Sequence, residues 1–374
     1  MRKKNLLIIG AGQLGLMLIE ESYNIRAYIN KIYVYTDAKN TPCHYLDFNK
    51  YNYVEIIIGS YTNEELLRHI ANKCDKITYE FESFPIDVFE KDNIKSKIFP
   101  KIDILKIIQD KYEQKLYIAM NTNNLSFGAF DKIDTYQDII NFVKIYSFPV
   151  MIKCRYGSFD GRGNFLIENE KDLEKFRDLK SNKFYIEDFI DFEKEISIAG
   201  CIGVNNQFIY YDSVNNFHKN SILSKTIFPD NELSDKIKCK IIDILKEILE
   251  LFNTKGIIVI EMFVKNNQIY LNEIASRVHN SYHHTLHSNV TSQFENHLRS
   301  ILDLNLGIVE NKFSGKFYNI ISNLQELEDI KKKDNIDFIK MYNKESKGIR
   351  KIGHCVSKNK YLSKGLSNLS LNCN

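Results

Sequence analysis

The run "NLLIIGAGQLGLMLIEESYNI" near the N-terminus sets the tightest constraint on the fold. A short apolar stretch at residues 5–9 stops at a glycine-punctuated turn, and a segment of helical periodicity follows. A strand that enters a helix through G-x-G-x-x-G opens an α/β unit and sets a helix N-terminus where an anion can sit. Three further strand-like runs, "KIYVYTD", "YVEIIIGS" and "KITYEFE", alternate with helical stretches. That alternation predicts a parallel sheet covered by helices, closed at Pro100. The turn alone does not fix a ligand. Asp37 stands where a nicotinamide enzyme would place its ribose-binding acid, and a tight turn for close strand–helix packing explains the same glycines.

A chain of 374 residues is long enough for two or three domains. A formal net charge of +3 gives no global field favouring nucleic acid or membrane partners. The start "MRKKNLLIIGAGQLGLML" imitates a signal peptide, but Gly10, Gly12, Gln13 and Gly15 interrupt it and no small-residue cleavage site follows. No run approaches the ~20 apolar residues of a membrane span. Seven cysteines without a C-x-x-C pair argue against a disulfide framework or zinc knuckle and fit reduced thiols in a cytoplasm.

Beyond Pro100, "DILKIIQDKYEQKLYIAMN" reads as one helical connection, and "ENEKDLEKFRDL" as a helix among short strands. "NQFIYYDSVNNFH" and "ILSKTIFP" read as further strands, followed by a long amphipathic helix in "ELSDKIKCKIIDILKEILELFN". "GIIVIEMFVKNNQIYLNEI" reads as a hairpin, and the chain after about residue 310 as a small β-rich cap.

The hairpin carries the first strong chemical signal. With Asn266, Asn267 and Gln268 as its turn, Glu261 faces Glu273 directly, whereas a two-residue turn would send them to opposite faces. Two facing carboxylates repel unless a cation lies between them, and oxygen ligands of this kind suit magnesium. Upstream, "MIKCRYGSFDGRGNF" places Lys153 at a strand end before a glycine-rich loop, which suits phosphate binding. "YIEDFIDFEKEISI" adds Glu187 and Glu195 beside an apolar rhythm that suits a purine pocket. The stretch "LNEIASRVHNSYHHTLH", residues 271–287, is open to three readings: a metal cage, an acid–base centre or an anion site.

At this point the chain resembles the 5-(carboxyamino)imidazole ribonucleotide synthase family of ATP-grasp ligases. The matching runs are "GAGQLG", "TYEFE", "DKYEQK", "GSFDGRG", "EDFIDFEKEIS", "NNFHKNSIL", "TIFP", "NEIASRVHNS", "TSQFENHLR" and "YNKESKGIRKIGH", in order along nearly the whole chain. The resemblance implies a Rossmann-like pre-ATP-grasp domain over 1–105, a two-part ATP-grasp domain over 106–305 with a lid at about 154–165, and a small β-rich C-terminal domain over 306–374. It implies ATP-dependent carboxylation of aminoimidazole ribonucleotide with bicarbonate, through carboxyphosphate, by a homodimer.

The same resemblance implies roles residue by residue. ATP would be surrounded by Lys111, Lys153, Ser158, Phe159, Asp160, Gly161, Arg162, Gly163, Asn164, Glu187, Asp188, Phe189, Ile190, Glu195, His218, Asn272 and Glu273. Glu261 and Glu273 would hold Mg2+. Gln13, Leu14, Glu80, Glu82, Lys344, Arg350 and Lys351 would contact the ribonucleotide. Arg277, His279 and Asn280 would hold bicarbonate, with Asp160 and Arg162 on the lid beside both substrates, which resolves residues 271–287 as an anion site. The spacing of His283, His284 and His287 could bind zinc on a helix, but reads more readily as mixed surface and packing histidines. The chain departs from the family pattern at Leu16 and Lys111, each in place of a usual arginine, and at Ser158 and Phe159 in the loop. Ser276, Tyr282 and His284 replace a usual proline, glycine and tryptophan. A formate-using ATP-grasp ligase, a nicotinamide oxidoreductase and a catalytically silent nucleotide-binding protein are the rival readings.

Overall fold

The computed structural model describes residues 2–90, 92–157, 163–344 and 349–359. The expected first unit is present: β1 (Lys4–Ile9), β2 (Ile29–Thr36), β3 (Val54–Ile58) and β4 (Lys76–Tyr79) form a parallel sheet of order β3-β2-β1-β4. Strand β1 is buried on both faces. Leu6 and Ile8 point into one apolar cluster and Leu7 and Ile9 into another, so its unbroken apolar run follows from its central position.

The connection after Pro100 is two helices, Ile102–Gln109 and Lys111–Asn121, rather than one. Asp110 breaks it: extended in backbone, its carboxylate accepts from the N–H groups of Tyr112 and Glu113 and from the Arg155 guanidinium. The second helix thus begins at an anchored point. The pattern "ENEKDLEKFRDL" yields only a short 3-10 segment, Glu170–Phe176.

Two sheets follow. The smaller holds β5 (Phe130–Thr135), β6 (Val150–Cys154), β7 (Asn164–Ile167) and β8 (Lys180–Asp188), in the order β5-β8-β6-β7. The larger holds β9 (Lys194–Ile202), β10 (Phe208–Lys219), β11 (Ile222–Phe228), β12 (Ile258–Lys265), β13 (Gln268–Ala275), β14 (Gly315–Ile321), β15 (Phe338–Met341) and β16 (Lys351–Lys358). Its order is β13-β12-β9-β10-β11-β14-β16-β15. The C-terminal segment is β-rich as expected, with one helix, Leu324–Lys333, but its strands extend the larger sheet through the β11–β14 pairing. The long helix Asp235–Phe252, capped by Ser234, buries Ile237, Ile241, Ile244, Leu245 and Ile248 against that sheet's Ile196, Ile198, Ile258 and Ile260.

Cys43, Cys74, Cys201 and Cys355 are buried free thiols, whereas Cys239 is disulfide-bonded, a departure from the all-reduced expectation. Among the described residues no helix is long and apolar enough to cross a membrane.

Candidate active site

The hairpin reaches its facing carboxylates by a route the sequence did not suggest. The turn is only Asn266–Asn267, with φ of 50° and 61°, and Lys265 pairs with Gln268. Continued without interruption, that register would set Glu261 opposite Asn272 and turn Glu273 away. A β-bulge between the Met262–Leu271 and Glu261–Glu273 pairs absorbs Asn272 and brings the two glutamates together. The expected three-residue turn is therefore corrected, while the facing geometry stands.

Around this bulge lies a cleft of about 460 Å3. The N-terminal unit lines it with Gln13, Leu14, Glu80 and Glu82, and the helix Lys111–Asn121 with Lys111. The smaller sheet and the strand following it contribute Lys153, Asn164, Glu187, Asp188, Phe189, Ile190 and Glu195. The larger sheet and its loops add His218, Glu261, Asn272, Glu273, Arg277, His279, Asn280 and Lys351. Apolar residues that the sequence had not singled out, Met151, Phe192, Leu223 and Phe263, line the same cleft. They provide a face on which a planar ring can stack.

Three expected residues do not themselves line the cleft. Lys344 bonds to Gln13 Oε1, Arg350 is exposed and does not line the cleft, and Gly163 uses its carbonyl to accept from the Cys154 N–H. Ser158, Phe159, Asp160, Gly161 and Arg162 lie outside the described residues.

The electrostatics divide the cleft into compartments. Burial raises the Glu261 carboxyl, and the facing Glu273 and nearby Glu195 push it further up. Burial acts on Glu273 in the same sense, but Lys111, 2.7 Å away, outweighs it and holds Glu273 below the usual range. His279 Nδ1 lies 3.7 Å from Glu261 Oε1, and burial with the Arg277 charge keeps this imidazole neutral, down to about 3. Glu261, Glu273 and His279 can present ligand atoms within 4.8 Å of one another, the one such group among the described residues. A buried carboxylate facing a half-buried one, with a single lysine and a neutral imidazole, fits a divalent cation.

On the nucleotide side, Lys153 sits 2.5 Å from Glu187 and 3.5 Å from the Asn272 amide oxygen. His218 Nδ1 lies 2.9 Å from Glu195, and this contact raises the imidazole against the effect of burial. Next to the cation group, Arg277 Nε lies 3.5 Å from Glu82. The Asn280 amide is buried, with neither its nitrogen nor its oxygen partnered. An orphaned buried amide on a residue that lines the cleft marks a place where a ligand could complete the bonding.

The glycine turn holds a surprise. Both oxygens of Glu80 are taken by backbone donors, Oε1 by the Gly12 N–H and Oε2 by the Gly15 N–H at 2.8 Å. A Cβ at Gly12 would stand 2.6 Å from Glu80 Oε1, so the turn is glycine-rich to admit this carboxylate. The helix N-terminus already gives two of its N–H groups to a carboxylate of the chain itself, where a dinucleotide pyrophosphate would otherwise sit.

Four departures from the family pattern are taken up by packing and hydrogen bonds within the fold. Leu16 is buried in the first core. Ser276 bonds through its hydroxyl to Tyr79 and through its N–H to Glu82. Tyr282 donates to the carbonyls of Ser197 and Asp212, and His284 stacks on Phe228 at 4.0 Å. His283 and His284 are buried, not surface residues, and His287 stacks on Phe338.

Comparison with known proteins agrees with this arrangement. Residues 3–109 match the ribonucleotide synthetase pre-ATP-grasp domain family and residues 118–294 the ATP-grasp domain family. An N5-carboxyaminoimidazole ribonucleotide synthase of Staphylococcus aureus is 31% identical over 296 residues, covering 79% of this chain and 75% of that protein. A phosphoribosylaminoimidazole carboxylase of Saccharomyces cerevisiae is 31% identical over 366 residues, covering 93% of this chain. The chain spans 62% of that relative's length. The crystal structure of N5-carboxyaminoimidazole synthase from Aspergillus clavatus, in complex with ADP and 5-aminoimidazole ribonucleotide, superposes with a TM-score of 0.82 at 27% identity. The match covers 96% of this chain and 94% of that one.

Proposed function

Since this chain belongs to the N5-carboxyaminoimidazole ribonucleotide synthase family of ATP-grasp proteins, we propose that it is a ligase of de novo purine biosynthesis. It carboxylates 5-aminoimidazole ribonucleotide with bicarbonate at the expense of ATP, giving 5-(carboxyamino)imidazole ribonucleotide, ADP and phosphate. It acts as a cytoplasmic homodimer. The observation that carries this reading is the convergence of nucleotide, cation and anion residues from three parts of the chain on one cleft.

The residues divide the work. Lys153 and His218 face the phosphates, while residues 187–190 and the apolar walls hold the purine. Glu261 and Glu273, with His279 beside them, hold Mg2+, which when bound spreads the charge that grows on the transferring phosphoryl group. Arg277 and the orphaned Asn280 amide orient bicarbonate so that its oxygen meets the γ-phosphorus in line. Gln13, Glu82 and Lys351 hold the ribonucleotide, whose exocyclic amine takes carbon dioxide from the short-lived carboxyphosphate. Neutral His279 and the buried amide of Asn280 donate hydrogen bonds without adding charge, which suits a planar oxyanion.

The nicotinamide reading loses its support, because Glu80 occupies the turn it would need. ADP release measured with each substrate omitted in turn tests the proposal. Release should require both bicarbonate and the ribonucleotide, and release indifferent to both would refute it.

A further inference from the structure

The helix Lys111–Asn121 presents two lysines one turn apart, and each ends on a glutamate, half-buried for Lys111 and buried for Lys115. Lys111 meets Glu273, and Lys115 meets Glu187. Lys115 is buried, lies about 6 Å from the ring centres of Phe130 and Tyr185, and does not line the cleft. Its partner is shared. Glu187 meets Lys115 through Oε2 and Lys153 through Oε1, the latter at 2.5 Å. Less than a tenth of each of these three side chains is exposed. One carboxylate therefore answers two ammonium groups, and only one of the two, Lys153, opens onto the cleft.

The geometry points to Lys115 as a positioning residue: it is the standing counter-ion of Glu187, and it thereby releases Lys153 to a nucleotide phosphate. This rests on the reading that the cleft takes ATP. When Lys153 turns to a phosphate, Glu187 keeps a full partner in Lys115 and no buried carboxylate is stranded. Without Lys115, Lys153 would be the only counter-ion of a carboxylate that cannot reach water. Breaking such a pair is strongly unfavourable, so a phosphate would compete poorly for the ammonium. Burial opposes ionisation of Glu187, and the two lysines together override it and hold the carboxyl at about 2, so it stays an anion that needs a partner.

The test is MgADP affinity by calorimetry, with thermal melts to verify folding. Lys115→Met should weaken binding about tenfold or more although Lys153 is untouched, and Lys115→Arg should stay within about threefold. Adding Glu187→Gln to Lys115→Met should recover at least about threefold of the loss, because a neutral amide no longer competes for Lys153. A purely structural role for Lys115 would not yield to a second substitution in this way. Should Lys115→Met fail to fold, the comparison moves to Glu187→Gln with and without Lys115→Met, where the two should agree within about threefold. Wild-type binding with an unaffected Lys115→Met variant, absence of any recovery, or a further tenfold loss in the second comparison overturns the inference alone. Wild-type protein that binds no MgADP overturns the nucleotide reading and takes this inference with it.

Discussion

Two partly buried acid sites border the cleft and solve the same problem differently. At the N-terminal turn, Glu80 is satisfied by the protein itself, through the Gly12 and Gly15 N–H groups at a helix N-terminus. In the hairpin, Glu261 and Glu273 face each other with Lys111 as the one lysine or arginine paired with them among the described residues, and Glu261 is pushed above its usual range. The first is a finished structural contact. The second has a ligand-sized deficit of positive charge. The motif with the familiar ligand-binding pattern is thus the one already filled, and the hairpin without a named motif is where an ion is required.

Substitutions should separate the two. Glu261→Gln should lower bicarbonate-dependent ADP release by roughly 100–1000-fold, the scale for losing a preorganised electrostatic group at a reacting centre. Its melting temperature without metal should hold or rise, since one of two repelling charges is gone. A variant that keeps its activity would make the pair structural and erase the contrast. Arg277→Lys retains charge but loses the two-pronged geometry, and should slow turnover roughly 10–100-fold with ATP affinity unchanged. An equal loss of ATP binding would move Arg277 to the nucleotide side.

Glu80→Ala should act first on stability, by about 1–3 kcal/mol, because two backbone donors lose their acceptor. Chemical denaturation measures this directly, and an unchanged midpoint would show that the turn does not depend on Glu80. The smallest effect is a slope with pH. Burial raises Glu80 above 4.5 despite the Gly15 and Gly12 donors, so the folded state holds its proton to higher pH than the unfolded chain does. The stability advantage of wild type over Glu80→Gln should therefore shrink as pH rises from 4.5 through the raised folded value. A gap that widens instead would mean that the donors outweigh burial.

Much of the architecture was legible, for identifiable reasons. The run at residues 5–9 and its three successors announced a buried parallel sheet because such strands are apolar on both faces. The long helix Asp235–Phe252 announced itself through its period and its Ser234 cap. The break at Asp110 was readable in principle, since aspartate is a strong N-cap, but the apolar rhythm on either side masked it. The bulge at Asn272 was not readable, because an inserted residue leaves no period and the two asparagines mark a turn without fixing its length. The merging of the C-terminal strands with the larger sheet depends on pairing across more than 80 residues, from Phe228 to Gly315, which local pattern does not encode. Lys115 was missed because its partner, Glu187, lies 72 positions away.

The contrast between the filled and the unfilled acid site is tested most directly by counting bound Mn2+ per chain in the presence of ADP, by electron paramagnetic resonance. Wild type and Glu80→Gln should each hold the ion, and Glu261→Gln should lose it. Retention of Mn2+ by Glu261→Gln, or an equal loss in Glu80→Gln, would contradict the assignment of the hairpin as the cation site.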